Sequence, residues 1–244
     1  MFLPLKDINP TERTPVITIS LIVINVLVYL YQLSIGPRLI AAFGATPYEI
    51  TRLTDLNEII NIGGYQLRHL PGPKPIVLTL FTSMFMHGGL LHLGGNMLYL
   101  WIFGNNIEDI LGPFKYIVFY ISCGLIAHAL HIVSDPSSLI PTVGASGAIS
   151  GLLGAYLIAY PRARVLTLMF LFFIIRLAVV PASVIIVFWF VIQLISGFAS
   201  LGGMHGGGVA WFAHIGGFIA GIILIYAMAG TTIYWLRRGG SDYH

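Results

Sequence analysis

The sequence predicts an all-α polytopic membrane protein, a six-helix bundle with a long, partly membrane-embedded first external loop. Three observations predict it. Of 244 residues, 57% are hydrophobic and only 9% charged, whereas a soluble domain carries about a quarter charged residues. Mean hydropathy is +0.89. Apolar runs also recur at the length of about 20 residues that a helix needs to cross roughly 30 Å of hydrocarbon. A single cysteine excludes an internal disulfide, and 12 basic residues scattered singly make no nucleic-acid stripe.

The elements follow in order. Residues 1–14 read as a short cytoplasmic N-terminus, 15–230 as one membrane domain and 231–244 as a cytoplasmic tail. The first span, 16–33, opens after Pro15 and is too long for an ordinary signal-peptide core, so it reads as a retained helix. Residues 37–75 hold Arg38, Glu49, Arg52, Asp55, Glu58, Arg68 and Lys74, and Pro71-Gly72-Pro73 forbids continuous helix there. Further spans fall at 84–103, 113–133, 145–160, 182–196 and 209–229. Arg176 and Pro181 divide the apolar stretch 165–196, so its first half reads as an interfacial β-hairpin. A glycine-rich loop containing His205 precedes the last span and reads as a cap over the site.

Six spans put both termini on one side. With that side cytoplasmic, it holds eight basic residues, Lys6, Arg13, Lys115, Arg162, Arg164, Arg176, Arg237 and Arg238. The outside holds four, Arg38, Arg52, Arg68 and Lys74, all in one long loop. The positive-inside rule then places the N- and C-termini inside. The short N-terminus suggests a prokaryotic inner membrane.

Polar groups inside spans cost a few kcal/mol each and mark function. His87, His92 and Asn96 open the second span, Ser146 opens the fourth behind Gly144-Ala145, and His214 opens the sixth. All three spans run from outside to inside, so these groups share one depth. His92 and Asn96 are four apart and lie on one helical face. The fourth span is too short for the bilayer, so its N-terminal amides sit below the outer surface and must meet water. A serine there stands beside ready-made oxyanion donors. Serine hydrolysis needs a nucleophile, a base within hydrogen-bond reach and such donors; Ser146, His214 and the His92/Asn96 pair supply these roles. Gly147 and Gly151, and Gly217 and Gly221, form two G-x-x-x-G faces that would draw the fourth and sixth helices together.

Four motifs in order, Gly144-Ala145-Ser146-Gly147, Ala213-His214-Ile215-Gly216-Gly217 with Gly221, His87-x4-His92-x3-Asn96 and Gly104-x3-Glu108-x3-Gly112, resemble those of the rhomboid intramembrane serine proteases. The resemblance implies a rhomboid-like bundle, a Ser146–His214 dyad, and an oxyanion site made by His92, Asn96 and the Ser146 amide. It further implies cleavage of single-pass transmembrane substrates near their extracytoplasmic end, with the bilayer as the other partner and no metal or cofactor. Two departures stand out: no tryptophan lies between residues 37 and 75, and Ser150 occupies the place where some members carry an aromatic that packs on the histidine.

Other residues read more plainly. His87 is structural or gating, His128 and His131 interfacial, Glu108 a structural acceptor and Cys123 packing. Glu108 and Asp109 lie too deep to reach His214, which leaves Asp135 and the first-loop acids Glu49, Asp55 and Glu58 as candidates on the external side; none is expected to complete a triad, so His214 should be oriented by packing and water. Among rivals, a membrane metalloprotease would need H-E-x-x-H, which is absent, and a transporter inverted repeats. The serious alternative is an inactive rhomboid-like protein that binds transmembrane helices; such a protein should lack Ser146 or His214, and both are present.

Overall fold

A computed structural model describes residues 2–62, 65–171, 174–201 and 209–237. Most of the described residues are helical. Its long helices are α1 (Val16–Ile35), α5 (Leu90–Ser134), α6 (Ser146–Ala159), α7 (Ala182–Leu201) and α8 (Trp211–Arg237). Between α1 and α5 lie three short helices, α2 (Arg38–Phe43), α3 (Pro47–Arg52) and α4 (Thr79–Thr82). Helices α1, α5, α7 and α8 contain windows long and apolar enough to cross a membrane. At Gly112 the backbone of α5 leaves the helical region (φ 71°, ψ 165°) and Pro113 follows. A glycine takes this positive φ without strain and proline cannot continue the previous hydrogen-bond ladder. The 45-residue helix thus bends into two segments, which makes six long helical segments among the described residues.

Boundaries differ from the sequence reading where glycine and hydrogen bonding decide. The second helix starts at Leu90, not 84, because residues 76–85 wind as short 3-10 and α turns and His87-Gly88-Gly89 is not helical. The last helix continues through the expected tail as far as Arg237, with a non-helical residue at Ala229. The expected hairpin is present as β4 (Arg164–Leu171) and β5 (Ile174–Pro181), antiparallel from Arg164 opposite Pro181. The sequence reading missed its third strand: β1 (Phe2–Asp7) pairs antiparallel with β4. The first loop adds a hairpin of its own, β2 (Ile59–Ile62) with β3 (Tyr65–Arg68).

Acidic residues of α5 fasten the N-terminal segment. Glu108 accepts hydrogen bonds from the Ile17 and Thr18 amides at 2.8 Å each, and from Thr18 Oγ1. These are first-turn donors of α1 that have no intrahelical partner, and Pro15 supplies no cap. Asp109 accepts from the amides of Glu12 and Arg13. Asp7, at the end of β1, accepts from Tyr156 Oη and Asn106 Nδ2, both at 2.7 Å. Burial raises the Asp7 carboxyl above its ordinary pKa, against the opposing pull of these hydrogen bonds.

The core lies where α5, α6 and α8 meet, around Phe103, Tyr116, Phe119, Tyr120, Leu152 and Tyr156, all fully buried. Glycines set the closest approach in that core. A Cβ on Gly217 or Gly221 would collide with the carbonyls of Gly147 or Gly151, and one on Gly151 with Cys123. Backbone therefore packs directly on backbone between α6 and α8.

Candidate active site

Helix α6 begins at Ser146 and holds 14 residues, about 21 Å of rise against roughly 30 Å of hydrocarbon. The first intrahelical acceptor is the Ala145 carbonyl, taken by the Ile149 amide, so earlier amides, Ser146 among them, are free to face a ligand. The turn ahead of the helix is pinned from two sides. Ala45 and Thr142 exchange backbone hydrogen bonds, and the Gly144 amide donates to the Ser83 carbonyl at 2.9 Å. Ser83 Oγ in turn meets His128 Nε2 at 3.1 Å, which gives His128 a scaffold role. Gly144 itself has φ +128°, and a Cβ there would lie 2.8 Å from His92 Nε2. No other residue type fits between that histidine and the serine turn.

The glycine-to-glycine contact of α6 with α8 places His214 over the helix start. Its Nε2 is 2.9 Å from Ser146 Oγ. Its Nδ1 is 2.7 Å from Oε1 of Gln193 on α7. Two indoles flank the imidazole, Trp189 at 5.8 Å and Trp211 at 6.3 Å between centroids. The Ser150 hydroxyl, for its part, donates back to the Ser146 carbonyl at 2.6 Å. Support by packing and water alone is thus corrected: an amide side chain meets His214.

On the facing wall, His92 and Asn96 project from one side of α5. The Gly88 amide donates to His92 Nδ1 at 3.3 Å, so the ring proton sits on Nε2, beside Gly144. Gln32 on α1 holds the preceding main chain: its amide nitrogen donates to the His87 carbonyl at 2.6 Å and its oxygen accepts from the His87 amide. Asn96 Nδ2 is buried with no hydrogen-bond partner. Ser146, His214, His92 and Asn96 all line one cavity of about 1150 Å³, which also reaches His131 and Asp135. The unpartnered Asn96 Nδ2 and the His92 Nε2–H are donors on the wall of the cavity that Ser146 also lines, an arrangement suited to a developing oxyanion.

Glu108 lies outside this cavity, at the base of α1, and Gly147, Gly217 and Gly221 act through the helix contact. His205 and the rest of the glycine-rich loop expected to cap the site lie outside the described residues. Among the described residues no group of three His, Cys, Asp or Glu could hold a metal.

The rhomboid domain family model matches residues 75–231, well over half of the chain. The chain belongs to the rhomboid family. This rhomboid is 33% identical over 96 residues to the presenilin-associated rhomboid-like protein, mitochondrial, of Mus musculus. It is 34% identical over 98 residues to rhomboid protein 1, mitochondrial, of Saccharomyces cerevisiae. Each match takes in 38% of the chain, and it spans only 26% and 28% of the length of those two relatives. Rhomboid protease GluP of Bacillus subtilis is 37% identical over 78 residues, 32% of the chain and 15% of that protein. The expectation of a prokaryotic inner membrane is overturned by the mouse and yeast relatives, whose names place them in mitochondria. That expectation rested on the shortness of the N-terminus, and where a chain starts carries no information about its compartment.

Sequence reasoning overlooked Gln193 and the two tryptophans. The signal for Gln193 was available: it is the only strongly polar side chain in an otherwise apolar run from Ala182 to Phe198 apart from serines, and a buried amide in a span needs a partner. Nothing in sequence spacing relates it to His214, because their separation depends on how α7 leans on α8.

Proposed function

We propose that this rhomboid is an intramembrane serine endopeptidase that cleaves single-pass transmembrane proteins near their extracytoplasmic end, with Ser146 as nucleophile and His214 as general base. The observation that carries the reading is the 2.9 Å approach of Ser146 Oγ to His214 Nε2 at a helix start open to a cavity. Ser146 Oγ attacks the scissile carbonyl carbon and its proton passes to His214 Nε2. The oxyanion is held by the Ser146 amide, His92 Nε2–H and the unpartnered Asn96 Nδ2. The same proton then leaves with the amine product, and a water, deprotonated by His214, releases the acyl group. Membership of a family that includes a protein named as a protease supports the reaction class.

The test is cleavage of a reporter carrying one transmembrane helix in proteoliposomes. Wild type should cut within the outer third of that helix. Binding of the helix with no cleavage at any enzyme concentration would favour an inactive, helix-binding rhomboid instead.

A further inference from the structure

We infer that Gln193 is a positioning residue that fixes the proton of His214, a neutral counterpart of the carboxylate in a triad; the inference rests on the dyad reading above. The orientation of its amide follows from its two contacts. Nε2 donates to the Trp189 carbonyl at 3.3 Å, one turn earlier in α7. Oε1 is therefore the atom facing His214 Nδ1 at 2.7 Å. An amide oxygen only accepts, so Nδ1 must carry the ring proton. Nε2 is then left unprotonated toward Ser146 Oγ, the one tautomer able to take the hydroxyl proton. The alternative tautomer would put N–H against O–H and disable the base.

Three further features favour this role over plain packing. Gln193 is buried, 5% exposed, in an otherwise apolar helix, where an amide oxygen left without a partner would be costly. It comes from α7, which carries no reacting group, and reaches into the contact between α6 and α8. The ring is also flanked by Trp189, tilted by 40°, and by Trp211, edge-on at 89°, so the hydrogen bond sets its proton while the indoles limit where it sits. During attack the Ser146 proton moves to Nε2, and the imidazolium charge is shared through the Nδ1–H bond to Oε1. No proton passes to Gln193.

Because the acceptor is neutral, its loss should cost less than removing a triad carboxylate: a net hydrogen bond of ordinary strength corresponds to about tenfold in kcat. The experiment compares full-length wild type with Gln193→Leu, Gln193→Glu and Ser146→Ala in proteoliposomes, reading kcat, KM and the rate of fluorophosphonate labelling. Gln193→Leu keeps the volume and removes the acceptor. It should lower kcat and the labelling rate by about tenfold each, with KM unchanged. Gln193→Glu keeps an oxygen in place, so it should restore kcat above the acidic limb of its pH–rate profile. That limb should move to higher pH, because a carboxylate facing Nδ1 stabilises the imidazolium. The other titratable groups near His214, His92 and His131 on α5, are untouched by either change. Gln193→Leu within twofold of wild type overturns the inference. Should that variant not fold, an unmoved acidic limb in Gln193→Glu overturns it as well. Turnover by Ser146→Ala would instead overturn the dyad reading, and the two failures are separate.

Discussion

Gly217→Ala puts the close approach of α6 and α8 to a quantitative test. A Cβ at Gly217 would lie 2.9 Å from the Gly147 carbonyl carbon, closer still to its oxygen, and 3.3 Å from Ser150 Cβ, whereas ordinary contact begins at 3.4 Å. The obstructing atoms are backbone, so the helices must part by about 0.5 Å at the carbon and more at the oxygen. Overpacking of this kind costs about 1–3 kcal/mol of stability. The effect on chemistry is larger, because Gly147 adjoins Ser146 and Gly217 is one turn from His214. Lengthening the 2.9 Å Oγ–Nε2 contact past 3.5 Å removes the hydrogen bond. A misplacement near 1 Å can lower turnover by about 10². The assay is kcat on a transmembrane reporter, with thermal unfolding to confirm the fold. Gly230→Ala is the control, since a Cβ there meets nothing within 4 Å and should leave kcat unchanged. Folded Gly217→Ala protein turning over within twofold of wild type would refute the argument that this glycine contact sets the site.

Three other substitutions probe separate parts of the molecule. Asn96→Ala removes an oxyanion donor and should lower kcat by about 10²–10³ with little change in KM; an effect confined to KM would assign Asn96 to substrate docking. Glu108→Gln leaves all three α1 donors without a charged acceptor and turns an amide NH2 toward at least one of them, and unfolding should become easier by about 1.5–3 kcal/mol, with an unchanged melting temperature counting against the capping role. For Asp7, burial makes the folded protein favour the protonated acid. The penalty is therefore complete above the raised folded pKa and vanishes as pH falls below the ordinary value near 3.8. The melting temperature of wild type should rise relative to Asp7→Asn between about pH 7 and pH 4, and a difference flat over that range would contradict the buried-carboxylate reading.

What was legible in the sequence followed from one-dimensional rules. Bilayer thickness sets helix length, so the apolar runs reveal the helices, and Gly112-Pro113 announces the break within α5. Polar residues in apolar runs are costly enough to stand out, which is why His92, Asn96, Ser146 and His214 are conspicuous in the sequence. The start of α5 was misjudged because Met84 and Phe85 are apolar yet wind in a 3-10 turn, and hydropathy does not register the helix break at Gly88-Gly89. Strand β1 was missed because Phe2–Asp7 pairs with β4 across more than 150 residues, and a strand of six residues has no periodic signal that separates it from a tail. Gln193 was missed for a related reason: its contact with His214 is made by the packing of two helices and has no fixed offset in sequence.

Peptide mapping of the protein after reaction with a fluorophosphonate asks whether Ser146 is the nucleophile. One covalent adduct is expected, on Ser146, formed at a rate that His214→Ala abolishes while the fold is retained. An adduct on another serine, or an unlabelled Ser146 in protein that still cleaves its transmembrane reporter, would contradict that role.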